Sequence, residues 1–305
     1  MDIDAVANAA CAALLPQKSK ERYNRCYKDF KAWCSNIASG ESITEKKRVQ
    51  FLGSRAIEKE VPCDLNIPYG PGKREVIDIY GTDLLSDAPI FIIFHGGYWQ
   101  EQCIKHNDFA FMAKNLYEKN IKSIYVGYEL CPDVTIKELQ RNTEKAMRKC
   151  LEYVRQFKPK GIHLSGHSAG AQIVANFFAN FIHNLAEEDR ELFKSVFLLG
   201  GIYDLTPLLS TSYNIPLGLD QQLASEASPL LQNLAADGTV FHVVVAENDS
   251  PPFIEQGKLM HKHLQELKID SKYIFVQNVD HFDLIEKLYE RDYELTKLII
   301  SNCVD

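Results

Sequence analysis

Short apolar runs alternate with longer helical patterns along most of the chain, and this alternation limits the fold more than any other feature. Seven runs are typical of strands: REVIDIYG, IFIIFHGG, KSIYVGYE, GIHLSG, KSVFLLGG, VFHVVVAEND and KYIFVQNVDH. Several are apolar on both faces, as strands are when helices cover both sides of their sheet. The intervening segments have a helical period: FAFMAKNLYEKN, VTIKELQRNTEKAMRKCLEYVRQF, AQIVANFFANFIHNLAEE, FIEQGKLMHKHLQELKI and HFDLIEKLYERDYELTKLIIS. This regularity predicts an α/β fold with a mostly parallel, doubly wound sheet and helices on both faces.

Two regions depart from the alternation. Residues 1–60 contain a helical pattern, KERYNRCYKDFKAWCSNIA, and an extended lead-in strand is expected in SRAIEKEVPCDLNIPYG. Residues 205–234 are rich in Leu, Ser and Pro and are long for a strand connection, so we expect a small cover of short helices there. No linker or repeat sets either region apart. We therefore predict a single domain over residues 1–305, with 1–60 as an N-terminal helical appendage and lead-in.

Charge and composition exclude several kinds of partner. The 305 residues are 46% apolar and 25% charged, with a formal net charge of −7 and a pI near 5.8. Nucleic acids and anionic membranes select clustered Lys and Arg, so neither is expected to bind. No segment approaches the roughly 18 uninterrupted apolar residues that span a bilayer. The stretch VANAACAALL follows Asp2 and Asp4 instead of the basic residues of a signal peptide, and we expect a docked helix there.

The cysteines indicate a reducing compartment. Eight cysteines are spread over the chain without a C-x-x-C pair, which is typical of thiols in a cytoplasmic protein. No group of His, Cys and Asp has the spacing of metal ligands, and the sequence has no glycine-rich phosphate loop, so neither a metal nor a cofactor is expected. The oligomeric state is left open, a homodimer included.

The sequence HLSGHSAGAQIVANFF carries a G-x-S-x-G motif between a predicted strand and a predicted helix. This is the setting of a nucleophile elbow, where a sharp turn holds a serine in a strained backbone conformation and requires small neighbours. Gly166 and Gly170 meet that requirement. Ser168 would stand at a helix N-terminus, whose N–H groups and dipole favour a developing anion. Ser168 is therefore the predicted nucleophile; a plain helix cap or a phosphate-binding turn is the alternative.

A second motif, HGG, directly follows the apolar run IFIIF. A hydrolase with a nucleophile elbow needs backbone N–H donors for its tetrahedral intermediate, and the loop after an earlier strand supplies some of them. Glycine lets the backbone approach the reacting atoms closely. Gly96 and Gly97, with the N–H of Ala169, are the predicted oxyanion hole.

The order of residues along the chain also indicates a base and an acid. In this kind of fold the nucleophile precedes the acid, and the acid precedes the histidine. The loop ENDSPPF offers Asp249, which we prefer to Glu247 because it lies later in the loop, and NVDHFDLIEKL offers His281. Both follow predicted strands, where active sites of open α/β sheets form. Asp204, after GGIY, is the remaining rival as the acid.

The other histidines are weaker candidates for the base. His95 and His167 flank the two motifs and are expected to orient the loops, although a catalytic role for either stays open. Four more lie within predicted strands or a helix and are expected to be structural: His163, His242, His261 and His263.

These motifs resemble those of the kynurenine formamidase (arylformamidase) family, relatives of the hormone-sensitive-lipase-type esterases with the α/β-hydrolase fold. The narrowest signal is HGGYWQ together with GHSAGA. Further matches are IPYGPGKREVIDIYG, GGIYDLTPLL, ASPLL, DSPPF and DHFDLIEKL, so the resemblance runs from about Asn66 to Leu288. It implies hydrolysis of N-formyl-L-kynurenine to L-kynurenine and formate in tryptophan catabolism. Ser168 would form a formyl-serine intermediate, His281 would act as the base, and Asp249 would orient it.

The aromatic pair after HGG is the expected substrate contact. Tyr98 and Trp99 are placed to line the aryl side of the substrate, and the alternative for each is to pack under the loop. No Arg or Lys in the motifs stands out as a partner for the substrate carboxylate. Two other functions remain: a short-acyl or aryl carboxylesterase with the same residues, and a non-catalytic binding protein on a hydrolase scaffold.

Overall fold

The computed structural model describes residues 56–304. The helices predicted in VANAACAALL and KERYNRCYKDFKAWCSNIA lie outside the described residues. The extended lead-in is corrected in part, because residues 56–60 are helical and the first strand begins only at Cys63. Ala56 to Glu60 are mostly helix-favouring residues, and Ile57 buries its side chain in the core. Pro62 then stops the helix, since proline cannot continue it as a donor.

Eight strands form one sheet in the order β1-β2-β4-β3-β5-β6-β7-β8. Their bounds are β1 Cys63–Pro68, β2 Val76–Tyr80, β3 Ile90–Phe94, β4 Lys122–Val126, β5 Ile162–His167, β6 Phe193–Leu199, β7 Val240–Ala246 and β8 Ser271–Val276. Strands β4, β3, β5, β6, β7 and β8, in this spatial order, pair in parallel. At one edge, β1 pairs antiparallel with β2, and β2 pairs antiparallel with β4. The predicted mostly parallel sheet is confirmed.

Helices cover both faces of the sheet. After the helical residues 56–60, the α-helices are α1 Ala113–Tyr117, α2 Ile136–Val154, α3 Ala169–Asn180, α4 Glu187–Arg190, α5 Asn214–Leu217, α6 Gln221–Glu226, α7 Pro251–Glu266, α8 Asp283–Glu286 and α9 Glu294–Val304. Short 3-10 helices span His106–Met112, Ile182–Asn184, Thr206–Ser210, Pro229–Leu231 and Lys287–Tyr289. Residues 205–234 thus contain the short helices expected of a cover.

The central strand β3 shows why its sequence is apolar throughout. All five of its residues are buried. Ile92 and Phe94 join the core under α2 and α3, whereas Phe91 and Ile93 join the core under α9 on the opposite face. Alternate side chains of a strand point to opposite faces, so a sheet covered on both sides needs apolar residues at every position.

The last predicted helix is wrong as a continuous element. HFDLIEKLYERDYELTKLIIS breaks into α8, a 3-10 turn and α9. The side-chain amide of Asn115 donates 2.9 Å hydrogen bonds to the carbonyls of Leu288 and Tyr289. Since these carbonyls are bound by a distant side chain, the chain can leave the helical path there without burying unpaired groups.

Candidate active site

The segments that follow β5, β7 and β8 meet at one edge of the sheet, because these strands belong to its parallel part. Ser168 directly follows β5, Asp249 follows β7, and His281 follows β8. Open α/β sheets collect their ligand-binding residues at this edge, beyond the carboxyl ends of the strands.

Ser168 occupies a strained turn between β5 and α3. Its backbone has φ +55° and ψ −119°, a conformation that side-chain-bearing residues rarely adopt. Its N–H donates to the carbonyl of Leu199 at 2.8 Å, which ties the turn to the end of β6. The serine is only 3% exposed. The strained turn that the G-x-S-x-G motif predicts is therefore present.

The two glycines of this motif are required by backbone contacts. A Cβ atom at Gly166 would collide with the carbonyl oxygen of Gly170. One at Gly170 would collide with the carbonyl of Phe94 and lie 2.6 Å from that of His95. Helix α3 therefore runs close against the end of β3, and this brings the serine turn next to the loop that β3 feeds.

His281 and Asp249 form a buried hydrogen-bonded pair. His281 Nδ1 lies 2.8 Å from Asp249 Oδ2, and the other carboxylate oxygen accepts the N–H of Ser250 at 2.7 Å. Burial is the largest effect on the pKa of His281 and lowers it. The charge and hydrogen bond of Asp249, with the charge of Asp280, outweigh burial, so the pKa is raised above 6.5. The pair is arranged to stabilise an imidazolium.

The rival acids are engaged elsewhere. Glu247 Oε2 accepts the N–H of Asn278 at 2.8 Å. Asp204 Oδ1 accepts the N–H and the hydroxyl of Thr206, at 2.9 and 2.7 Å, and so stabilises the turn after β6. Of the three acids considered from the sequence, Asp249 is the one that contacts His281.

His281 also lies beside the serine turn. The residue before Ser168 is His167, and its Nε2 is 2.9 Å from the carbonyl oxygen of His281. Gly200 flanks the same pair with φ +52°, and a Cβ atom there would lie 3.2 Å from His281 Nδ1 and 3.3 Å from Asp249 Oδ2. The structure thus places the predicted base and acid beside the turn that carries the predicted nucleophile.

The predicted oxyanion loop packs against the serine. A Cβ atom at Gly96 would lie 3.0 Å from the Cβ of Ser168, so only glycine leaves this gap open. Gly97 has φ +112°, which glycine adopts readily. Ala169 is the first residue of α3, so its N–H has no carbonyl partner within the helix. These positions suit N–H donors that face an oxygen held near Ser168.

His95 stabilises the same loop through contacts with Gly96 and Tyr128. Its Nδ1 lies 2.7 Å from the carbonyl of Gly96, and its ring stacks on Tyr128 with centroids 4.2 Å apart. The Tyr128 hydroxyl donates to the carbonyl of His95 at 2.6 Å. Burial lowers the pKa of His95 to about 3, so the ring is neutral. The expected loop-orienting role agrees with these contacts.

The other histidines lie away from these contacts. His163 Nδ1 is 2.7 Å from the hydroxyl of Ser195, and His242 stacks on Phe197 with centroids 4.6 Å apart. The histidines of α7 bind outside the site, His263 to the carbonyl of Gln232 and His261 to the hydroxyl of Ser271.

The two aromatic residues after HGG have different surroundings. Trp99 is fully buried, and its indole N–H donates to Gln172 Oε1 at 3.0 Å. Its full burial and this hydrogen bond favour the alternative expected for Trp99, which is packing under the loop. Tyr98 is half-buried and stacks on Tyr213 with centroids 4.3 Å apart.

An aromatic cluster beside His281 was not predicted as a whole. Phe253 meets Tyr98 edge to face at 6.4 Å and His281 at 4.6 Å. Gln100 Nε2 donates to the carbonyl of Tyr213 at 3.2 Å, which links the cover to the oxyanion loop. Phe253 lies in DSPPF, one turn after the predicted acid, and that position was a usable signal. Tyr213 lies in the cover, where nothing in the sequence marks it.

Within residues 56–304 the structure contains no cluster of three or more His, Cys, Asp or Glu side chains that could hold a metal ion. No helix in that range is both long and apolar enough to cross a membrane. The cysteines of this range are thiols without a disulfide: Cys63, Cys103, Cys131, Cys150 and Cys303.

Comparison with solved structures shows the fold. A candidate thioesterase from Silicibacter sp. TM1040 has a TM-score of 0.71 at 25% identity, covering 85% of this chain and 94% of that one. Esterase B from Lactobacillus rhamnosis has a TM-score of 0.65 at 15% identity, covering 94% and 96%. At the latter identity the likeness concerns the fold alone.

Comparison of sequences identifies the family. A family model described as the alpha/beta hydrolase fold matches residues 91–283. Kynurenine formamidase of Salmo salar is 35% identical over 282 residues, which cover 88% of this chain and 92% of the relative. Kynurenine formamidase of Danio rerio is 33% identical with the same coverage of 88% and 92%. The resemblance found in the motifs is confirmed, and the chain belongs to the kynurenine formamidase family of α/β hydrolases.

Proposed function

We propose that this hydrolase converts N-formyl-L-kynurenine to L-kynurenine and formate, a step of tryptophan catabolism, by serine catalysis. The pairing of His281 with Asp249 beside the strained turn of Ser168 is the observation that carries the mechanism. The name shared by relatives at 33% and 35% identity supports the substrate.

In the first half-reaction, Ser168 Oγ attacks the formyl carbon while His281 Nε2 takes the hydroxyl proton. Asp249 holds Nδ1–H and stabilises the imidazolium. The carbonyl oxygen becomes an oxyanion that accepts hydrogen bonds from the N–H groups of Gly96, Gly97 and Ala169. His281 then protonates the departing nitrogen, the C–N bond breaks, and L-kynurenine leaves.

In the second half-reaction, water attacks the formyl carbon of the formyl-serine. His281 takes a proton from this water and returns it to Ser168 Oγ as the C–O bond breaks. Formate leaves and the free serine is restored. No external oxidant, reductant or metal enters either half-reaction.

The aromatic rings beside His281 favour an aromatic leaving group. The faces and edges of Tyr98, Tyr213 and Phe253 lie on the His281 side, where the leaving nitrogen must be protonated. Packing of an aniline ring against one of these rings contributes about 0.5–1.5 kcal/mol beyond its burial.

Activity measurements on purified protein test the proposal. The protein is given N-formyl-L-kynurenine and, in parallel, a series of p-nitrophenyl esters. We expect rapid formamide cleavage, and we expect Ser168→Ala and His281→Ala each to remove nearly all of it while circular dichroism stays unchanged. Strong ester turnover with negligible formamide cleavage would establish the esterase alternative. A folded protein whose Ser168 never reacts with a fluorophosphonate would establish the binding-protein alternative.

A further inference from the structure

His167 joins the serine turn to the loop of the proposed base. It is the last residue of β5 and immediately precedes Ser168. Its side chain is 5% exposed, and its Nε2 lies 2.9 Å from the main-chain carbonyl oxygen of His281. The two imidazole rings are 4.7 Å apart between centroids. The side chain of His167 therefore connects the residue before the proposed nucleophile to the main chain of the proposed base.

The contact determines which nitrogen of His167 carries a proton. A carbonyl oxygen only accepts hydrogen bonds, so Nε2 must be the donor. Burial, and secondarily the charge of His281, lower the pKa of His167 well below 6.5, so the ring is neutral. A neutral imidazole has one N–H, and Nδ1 is then unprotonated. His167 is consequently a fixed donor without a charge.

Neutrality matters because His281 becomes an imidazolium in each half-reaction. A cation 4.7 Å away would oppose that protonation, whereas a neutral donor does not. The side chain at residue 167 therefore has to supply an N–H to the carbonyl and add no positive charge. Histidine at this buried position meets both conditions, and so would a primary amide.

We propose that His167 is a positioning residue whose Nε2–H holds the carbonyl of His281 and thereby fixes this imidazole relative to Ser168. The inference rests on the proposed role of His281 as the base and goes beyond it, since it assigns a role to a residue that the proposed mechanism does not use. Asp249 orients His281 by contacting the imidazole ring of His281, and His167 orients it by contacting the main chain of His281. The imidazole is thus held from two sides.

A nearly isosteric pair of variants isolates the hydrogen bond. His167→Leu removes the donor, and His167→Gln restores an N–H at almost the same reach without a charge. We expect His167→Leu to lower kcat about 10²-fold, the order of loss caused by a displacement near 1 Å of a catalytic group, with KM little changed. His167→Gln should recover most of this loss.

The pH dependence gives a readout that a loss of stability would not move. The charged groups around His281 are Asp249, from the loop after β7, and Asp280, from its own loop. Neutral His167 at the end of β5 and the uncharged residues Phe253, Phe282 and Gly200 also flank its ring. Since the base works in its neutral form, kcat/KM falls as pH falls through the raised pKa of His281. A loosened imidazole loses part of the support of Asp249, so the acid limb of His167→Leu should lie at lower pH than that of the wild type.

His163 provides a matched control at the other end of the same strand. It is 3% exposed and bonded to Ser195, so its replacement disturbs a buried neutral histidine far from the site. His163→Leu and His163→Gln should lower the thermal midpoint and leave both kcat and the acid limb unchanged. An altered acid limb in these controls would mean that buried histidines act through general stability, which would overturn the proposal.

The reaction rate of Ser168 with a fluorophosphonate separates this inference from the proposed function. Labelling needs the base but no particular substrate, and it should be slow in His167→Leu and near normal in His167→Gln. The positioning role would be overturned if folded His167→Leu kept the kcat, the acid limb and the labelling rate of the wild type. It would also be overturned if folded His167→Gln were as impaired as His167→Leu. If Ser168 of the wild-type protein reacts with the fluorophosphonate but the protein does not hydrolyse N-formyl-L-kynurenine, only the proposed substrate is refuted.

Discussion

The serine turn and the oxyanion loop follow neighbouring strands of the sheet, yet the glycines of the turn and Gly97 of the loop are required for different reasons. In the serine turn, a Cβ atom at Gly166 or Gly170 would collide with backbone carbonyls. In the loop, a Cβ atom at Gly96 would still meet backbone, the carbonyl oxygen of His167 at 3.0 Å, but one at Gly97 would meet the side chains of Ile104 and Glu101, at 3.0 and 3.1 Å. Backbone cannot yield without moving the sheet, whereas side chains can change rotamer.

This difference separates a rigid part of the site from an adjustable part. The serine turn is held by β3, β5, β6 and α3 at once. The loop has three consecutive residues with positive φ, Gly97 at +112°, Tyr98 at +47° and Trp99 at +60°. Such backbone persists only when surrounding contacts hold it. The buried contacts of Trp99 and His95 supply that support, so we expect the conformation of the loop to depend on these two side chains.

The largest effect is expected from Gly170→Ala. Alanine would ordinarily favour helix α3, but here its methyl group would collide with the carbonyl of Phe94. We expect a loss of about 3 kcal/mol or more, the upper range for an overpacked core, in urea unfolding of the full chain. A neutral or stabilising result would show that the serine turn is as adjustable as the loop.

A second effect is expected at His95, because lowering the pH should weaken the support that this residue gives to the loop. Above pH 6.5 His95 is neutral in both folded and unfolded chains; between 6.5 and about 3 only the unfolded chain binds the proton, so stability falls as pH falls. One such group contributes a slope of about 1.4 kcal/mol per pH unit. His95→Gln should reduce the slope of unfolding free energy against pH by about this amount. An unchanged slope would mean that His95 takes up its proton in the folded state.

A third effect separates the two aromatic residues of the loop. Trp99→Phe leaves Gln172 Oε1 without its buried donor, and an unsatisfied group of this kind costs about 1–3 kcal/mol. Denaturation should show the loss, and kcat should fall because the N–H groups of Gly96 and Gly97 are less firmly held. A variant with full stability would contradict the packing role given to Trp99.

The smallest effect is expected at Tyr98, which serves as the comparison for its neighbour Trp99. Tyr98→Leu removes the stack on Tyr213 at the half-buried side of the loop. We expect little change in stability and a KM for N-formyl-L-kynurenine raised about 2- to 12-fold, corresponding to the 0.5–1.5 kcal/mol of one aromatic contact. If KM is unchanged, the aryl group of the substrate lies elsewhere.

The sheet and the serine turn could be predicted from the sequence because their constraints are local. Apolar runs identified the strands, and the glycines around Ser168 identified the sharp turn between β5 and α3. Chain order led to Asp249 and His281, which the structure pairs, since parallel strands deliver their following loops to one edge.

The parts that failed depend on distant contacts. The break in the last predicted helix is stabilised by Asn115, which binds carbonyls more than 170 positions later in the chain. The opposite surroundings of Tyr98 and Trp99 could not be predicted either, because residues with positive φ do not follow the alternation of a strand. Tyr213 reaches the site through Gln100, across a sequence separation of 113 residues.

The hydrogen bonds of Gln172 make the loop optically observable. Its oxygen accepts from the indole of Trp99, and its amide nitrogen donates to the carbonyl of Ala227 in the cover at 2.7 Å. Indole fluorescence shifts to shorter wavelength in apolar surroundings and to longer wavelength in water. In a Trp33→Phe background, Trp99 would be the sole tryptophan, and its emission would report any separation of loop and cover while a ligand binds.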